Sequence, residues 1–170
     1  MPIHVMPETT DRPESLTLDQ QRLPNLATWL PLLRESLARQ GRFRWPLRGA
    51  SMLPTLPSNC EITIIPLPDK LPLGSLIVFA GRDSALVVHR LVHRTNYHLV
   101  AQGDARWRPD PWLDPAQVLG LVSAATVDGR RVWPSRIEAP LKWFWVGRAA
   151  GLWLLRRARR LVHSPSSSCL

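Results

Sequence analysis

The apolar positions of this chain change period twice. Between Pro24 and Gln40, Leu26, Trp29, Leu30, Leu33 and Leu37 recur at three- and four-residue steps, and Gly41 follows. That spacing forms one stripe of a helix, and a glycine just past the last turn is a stop signal. It predicts an N-terminal helix within residues 23–41, packed on a domain edge. From 43 to 133 the runs are short and bounded by turn residues. Glu61–Ile65, Ser75–Phe79 behind Pro72 and Gly74, Ala85–Val92, and Tyr97–Ala101 after a Thr95-Asn96 turn read as strands. Val118–Val127 runs through Asp128-Gly129 into Arg130–Trp133, and Asp-Gly between two apolar runs is a strong hairpin signal. Residues 42–139 are therefore expected to form a mainly β, antiparallel domain. A second helical stripe covers 140–163, aromatic at its start (Trp143, Phe144, Trp145) and basic at its end (Arg156, Arg157, Arg159, Arg160). The simpler expectation is a helix covering the sheet with a solvated arginine face. The alternative is peripheral contact of residues 140–162 with an anionic membrane, where Trp and Arg are both favoured. Residues 1–22 read as a flexible, proline-punctuated arm and 164–170 as a disordered tail.

Composition narrows the classes. A chain of 170 residues suffices for one domain with a core, and 45% hydrophobic residues exclude a disordered protein. Lys+Arg number 22 against 13 Asp+Glu, for a net charge of +9, and only Lys70 and Lys142 are lysines. Such an excess suits nucleic acid, an anionic membrane or an acidic partner. No RNA-binding aromatic box, zinc finger or helix-turn-helix pair accompanies it, so nucleic acid is not favoured. The cysteines, Cys60 and Cys169, suggest free thiols in a reducing compartment. Glu8, Asp11, Glu14 and Asp19 near the start do not fit a secretory signal, and no apolar run is long enough to span a bilayer. The expected location is cytoplasmic, with peripheral attachment at the inner face of a membrane as the variant.

One stretch raises a chemical question. Gly49-Ala-Ser-Met-Leu-Pro-Thr-Leu56 holds Ser51 among small and apolar residues and precedes Pro57. A serine hydroxyl is a weak nucleophile until a base takes its proton. Lys70 follows Asp69 in a solvated loop and Lys142 lies in the last helix, so neither suits a base. Histidine is the better candidate. His89 and His93 lie in Leu86–His93, where strand alternation places both on one face with Val87 and Leu91, about 13 Å apart. That distance speaks against a shared metal ion, and no metal or cofactor is expected. His4, His98 and His163 lie in less ordered contexts. A base histidine is oriented by a carboxylate on its other nitrogen. Asp104, Asp110 (between Pro109 and Pro111) and Asp114 are the candidates. Taken singly, each of these residues has a plain structural reading.

Their order resembles the signal peptidase I-like serine peptidase family and its self-cleaving repressor relatives. Gly49-Ala-Ser-Met-Leu-Pro-Thr55 resembles the nucleophile box, and Gly74-Ser-Leu-Ile-Val-Phe79 the following strand, with Ser75 where an acid is usual. Val88-His-Arg-Leu-Val92 is similar to the His-Arg-Val box of the endoplasmic-reticulum and archaeal signal peptidases, and Gln102-Gly-Asp104 to the next Gly-Asp box. The match runs from about residue 47 to 127. The resemblance implies a signal peptidase/LexA-like β domain with an N-terminal and a C-terminal amphipathic helix. It implies Ser51 as nucleophile, His89 as general base and Asp110 as its orienting acid, with Asp104 as the alternative acid. The Ser51 backbone N–H would hold the oxyanion. Met52 and Gly49 would line the substrate cleft, and Gly49 stands where many members carry an assisting serine. The implied activity is endopeptidase cleavage of a leader or maturation site in a specific protein or peptide. A non-catalytic peptide-binding scaffold and a self-cleaving repressor are the alternatives.

Overall fold

The computed structural model describes residues 26–81, 85–134 and 138–162. The expected arm and tail, with His4, His163 and Cys169, lie outside the described residues.

Helix α1 (Leu26–Gln40) precedes seven strands: β1 (Phe43–Pro46), β2 (Glu61–Ile65), β3 (Leu76–Ala80), β4 (Leu86–Arg94), β5 (Leu99–Gln102), β6 (Val118–Val127) and β7 (Arg130–Trp133). Helix α2 (Glu138–Val162) follows. The strands form one sheet in the order β1-β2-β6-β3-β4-β5, with β7 also paired to β6, and every pairing is antiparallel. The mainly β expectation is met. β1 was absent from the expected strands because it is four residues long and ends in proline. The Asp128-Gly129 turn takes φ of 48° and 74°, the left-handed pair that a two-residue hairpin needs.

Both faces of the central strands are covered, which is why they read as unbroken apolar runs. In β3, Leu76 and Val78 join a core with Leu30, Leu37, Ile62 and Ile64, while Ile77 and Phe79 join a second core with Leu91, Ala101 and Val118. α1 buries Leu30 and Leu37 but leaves Trp29 half-exposed. Its Arg34 Nε donates to the Val118 carbonyl at 2.8 Å, tying the helix to the start of β6.

A β-bulge corrects one expectation. Leu91 pairs with Ala101, but the next pair is His93 with Val100, so Val92 is an extra residue. A one-residue slip turns the following side chains to the other face. His89 is buried beside Phe79 (ring centroids 6.0 Å apart), whereas His93 is exposed against Trp112 at 6.2 Å. The two histidines do not share a face.

The side chains of the expected arginine face, Arg156, Arg157, Arg159 and Arg160, lie outside the described residues, but α2 carries one further arginine. Its Arg148 turns inward, donating to the carbonyls of Asp104 at 2.7 Å and Arg106 at 3.1 Å. The guanidinium lies 4.7 Å from the Trp145 ring and 5.7 Å from that of Trp107. Among the described side chains of α2, those facing outward are apolar: Trp143, Phe144, Leu154 and Leu155.

Candidate active site

Three segments converge at one end of β4: the turn at 49–56, the strand itself, and the loop 103–112. The turn is shaped from within. Gly49 takes φ of +95°, a conformation that disfavours a side chain. Met52 and Leu56 are both 1% exposed, and the Leu56 N–H donates to the Met52 carbonyl at 2.9 Å. Two buried apolar side chains four residues apart pin the turn and leave Ser51 and Thr55 half-buried. Met52 is thus a core residue. It has no surface to offer a cleft, which corrects the expectation drawn from the family resemblance. Gly49 is exposed, and a Cβ built on it would meet no atom within 4 Å.

His89 Nδ1 lies 2.6 Å from Asp110 Oδ2. An ionised carboxylate only accepts, so against it Nδ1 is the donor, and in the neutral ring the lone pair then falls to Nε2. The Asp110 backbone N–H donates to the Ala101 carbonyl at 2.8 Å, which holds the carboxylate's loop along the edge of β5. Nε2 is buried and has no hydrogen-bond partner among the described residues. A buried ring nitrogen is costly when left unsatisfied, so this one calls for a partner such as a water, a ligand or a hydroxyl.

Gly103 sets the distance between this nitrogen and the serine turn. A Cβ on Gly103 would stand 2.9 Å from His89 Nε2 and 2.6 Å from the Ser51 carbonyl oxygen. The Ser51 backbone carbonyl and the ring therefore lie on either side of one methyl-sized space. The Ala105 N–H donates to the same Ser51 carbonyl at 2.9 Å and locks the turn to the loop. The Ser51 hydroxyl does not bond Nε2 in this arrangement.

Asp104 has a different partner. Arg90, fully buried, donates to Asp104 Oδ1 at 3.0 Å and Oδ2 at 2.8 Å, to the Gly74 carbonyl at 2.8 Å and to Thr55 Oγ1 at 3.3 Å. Thr55 Oγ1 donates to Asp104 Oδ2 at 2.5 Å. Asp104 is thereby engaged with Arg90 and Thr55, while Asp110 is the acid in contact with His89. Asp114 caps the single turn at Pro115–Gln117 by accepting from the Ala116 N–H. The Lys142 stem lies over Gly74 and its Nζ over the Trp143 ring at 5.6 Å, while Lys70 is exposed.

Arg90, Thr55, Gly103 and Arg148 were missed by sequence reasoning. An arginine inside an apolar strand is a signal that could have been read, because a buried guanidinium demands a carboxylate. A cavity of about 470 Å³ adjoins the site, lined by His93, Asp110, Trp112, Ala149, Ala150 and Leu154 among others. No family model, curated protein or solved structure matches the chain. The chemistry of the site rests on its own geometry.

Proposed function

We propose that this chain is a serine endopeptidase of the signal-peptidase-like type, with a signal peptidase/LexA-like β domain, that cleaves a leader or maturation site in a protein or peptide. The observation that carries the reading is the 2.6 Å His89–Asp110 contact, with the free Nε2 facing the Ser51 turn across Gly103. In this mechanism the Ser51 hydroxyl, which does not bond Nε2 at rest, hydrogen-bonds to it once substrate is bound. Nε2 then takes the proton as Oγ attacks the scissile carbonyl carbon. Asp110 holds the ring's tautomer and stabilises the imidazolium that forms. The oxyanion falls to the Ser51 backbone N–H, with no side-chain donor at Gly49. The imidazolium returns its proton to the leaving amine, and a water activated by Nε2 hydrolyses the acyl-enzyme.

The test is labelling of the whole protein by a fluorophosphonate probe, read by intact mass. Wild type and His93→Ala are expected to take up one label, and Ser51→Ala and His89→Ala none. Label that persists in His89→Ala sinks the assigned base. A protein that never labels, yet retains peptide binding in Ser51→Ala, is a scaffold.

A further inference from the structure

Among the described residues nothing covers the exposed side of α2, and its chemistry is wrong for water. At 100° per residue, Trp143, Phe144, Gly147, Ala150, Gly151, Leu154 and Leu155 fall on one side of the helix. All are exposed except Gly151, which is half-buried, and none carries a charge. Trp143 is 63%, Phe144 59% and Leu155 63% exposed, values that a helix serving only to cover a sheet would not leave on its outer face. The patch continues past Leu154 to Trp112, itself 60% exposed, at the mouth of the cavity that both line.

Charge decides between occupants. Residues 139–170 contain Lys142, Arg148, Arg156, Arg157, Arg159 and Arg160 and no Asp or Glu. A second copy of the chain would bring two such cationic helices together. An anionic surface would neutralise them instead. Among the described residues no helix is long and apolar enough to cross a membrane. An apolar face with Trp and Phe, followed by arginines, is the composition of a helix that lies in the bilayer interface.

We propose that α2 docks this protein on an anionic lipid bilayer through the Trp143–Phe144–Leu154–Leu155 face. Docking fixes the height of the Ser51 region, because Arg148, on the flank of α2 beside that face, is bonded to the Asp104 and Arg106 carbonyls in the loop that carries Asp110. Lipid binding is independent of the peptidase reading.

The experiment is flotation of the full chain with phosphatidylcholine vesicles, either pure or one-third phosphatidylserine. Wild type and Ser51→Ala are expected to float equally with the anionic vesicles, and to be released by high salt. Trp143→Ser combined with Leu154→Ser lowers partitioning about tenfold or more. Arg156→Gln and Arg157→Gln lower it about fivefold each. Trp29→Ser, an exposed indole on α1, leaves it unchanged. Trp29, Trp143 and Leu154 are exposed, so thermal melts of the serine variants should match wild type. Failure of wild type to float with anionic vesicles at low salt overturns the proposal. So does equal flotation of the Trp143/Leu154 variant, or a wild-type dimer in sedimentation that this variant dissolves.

Discussion

Gly103→Ala tests the central geometry with one methyl group. The backbone of Gly103 lies outside the left-handed region, so alanine adds no conformational strain there. The penalty is contact alone. The new Cβ would stand 2.6 Å from the Ser51 carbonyl oxygen, 2.9 Å from His89 Nε2 and 3.1 Å from His89 Cδ2. None of these neighbours is the loose end of a flexible chain: one is backbone, and the ring is buried and tethered to Asp110. Something must move by several tenths of an ångström. Overpacking of this kind costs about 1–3 kcal/mol, or roughly 3–10 °C in melting temperature for a chain of this size. The larger effect is on reactivity. Moving the serine turn away from the ring by about 1 Å lowers the rate of a positioned nucleophile around 100-fold. Calorimetry and the second-order rate of fluorophosphonate labelling measure the two effects. An alanine variant that melts and labels like wild type would refute the argument, because the Ser51 carbonyl and His89 would then not lie on either side of that space.

Three further outcomes follow from named contacts. Asp110→Asn preserves shape but not the tautomer of His89, and is expected to slow labelling by about 10⁴-fold with little change in melting; near-normal labelling would remove Asp110 from the mechanism. Arg90→Met leaves Asp104 buried with its ion pair broken, which costs about 3–5 kcal/mol in urea unfolding; adding Asp104→Leu should restore much of that loss, and no recovery would mean that the pair is not the source of the penalty. Burial pushes the Cys60 thiol up from its ordinary value, against a smaller lowering by a backbone hydrogen bond. The folded state thus holds that proton more tightly than the unfolded one. This contribution to stability is fully present below the ordinary thiol value and is lost as pH rises through the raised folded value. Cys60→Ala should flatten that alkaline decline, and native Cys60 should resist iodoacetamide at neutral pH until the protein unfolds.

The division between sequence and structure follows range. The period of the apolar residues determined the two helices, most of the strands and the Asp128-Gly129 hairpin, because those patterns act within a turn or a strand pair. The order of the Ser51, His89 and Asp110 segments could also be read from the chain. Tertiary structure alone decided which groups meet. Asp104 and Asp110 were alternatives on sequence, and burial of Arg90 assigned the first to itself and left the second to His89. The bulge at Val92 separated His93 from His89, since pairing register, not alternation along a single strand, sets the face. Met52 moved from the expected cleft to the core because the turn needed an apolar anchor on its inner side. Likewise the arginine-rich helix turned Arg148 inward and its aromatic face out. A helix chooses which face to bury according to what the rest of the fold presents, and here that included the carbonyls of Asp104 and Arg106, the second of which also accepts from Gln102 Nε2.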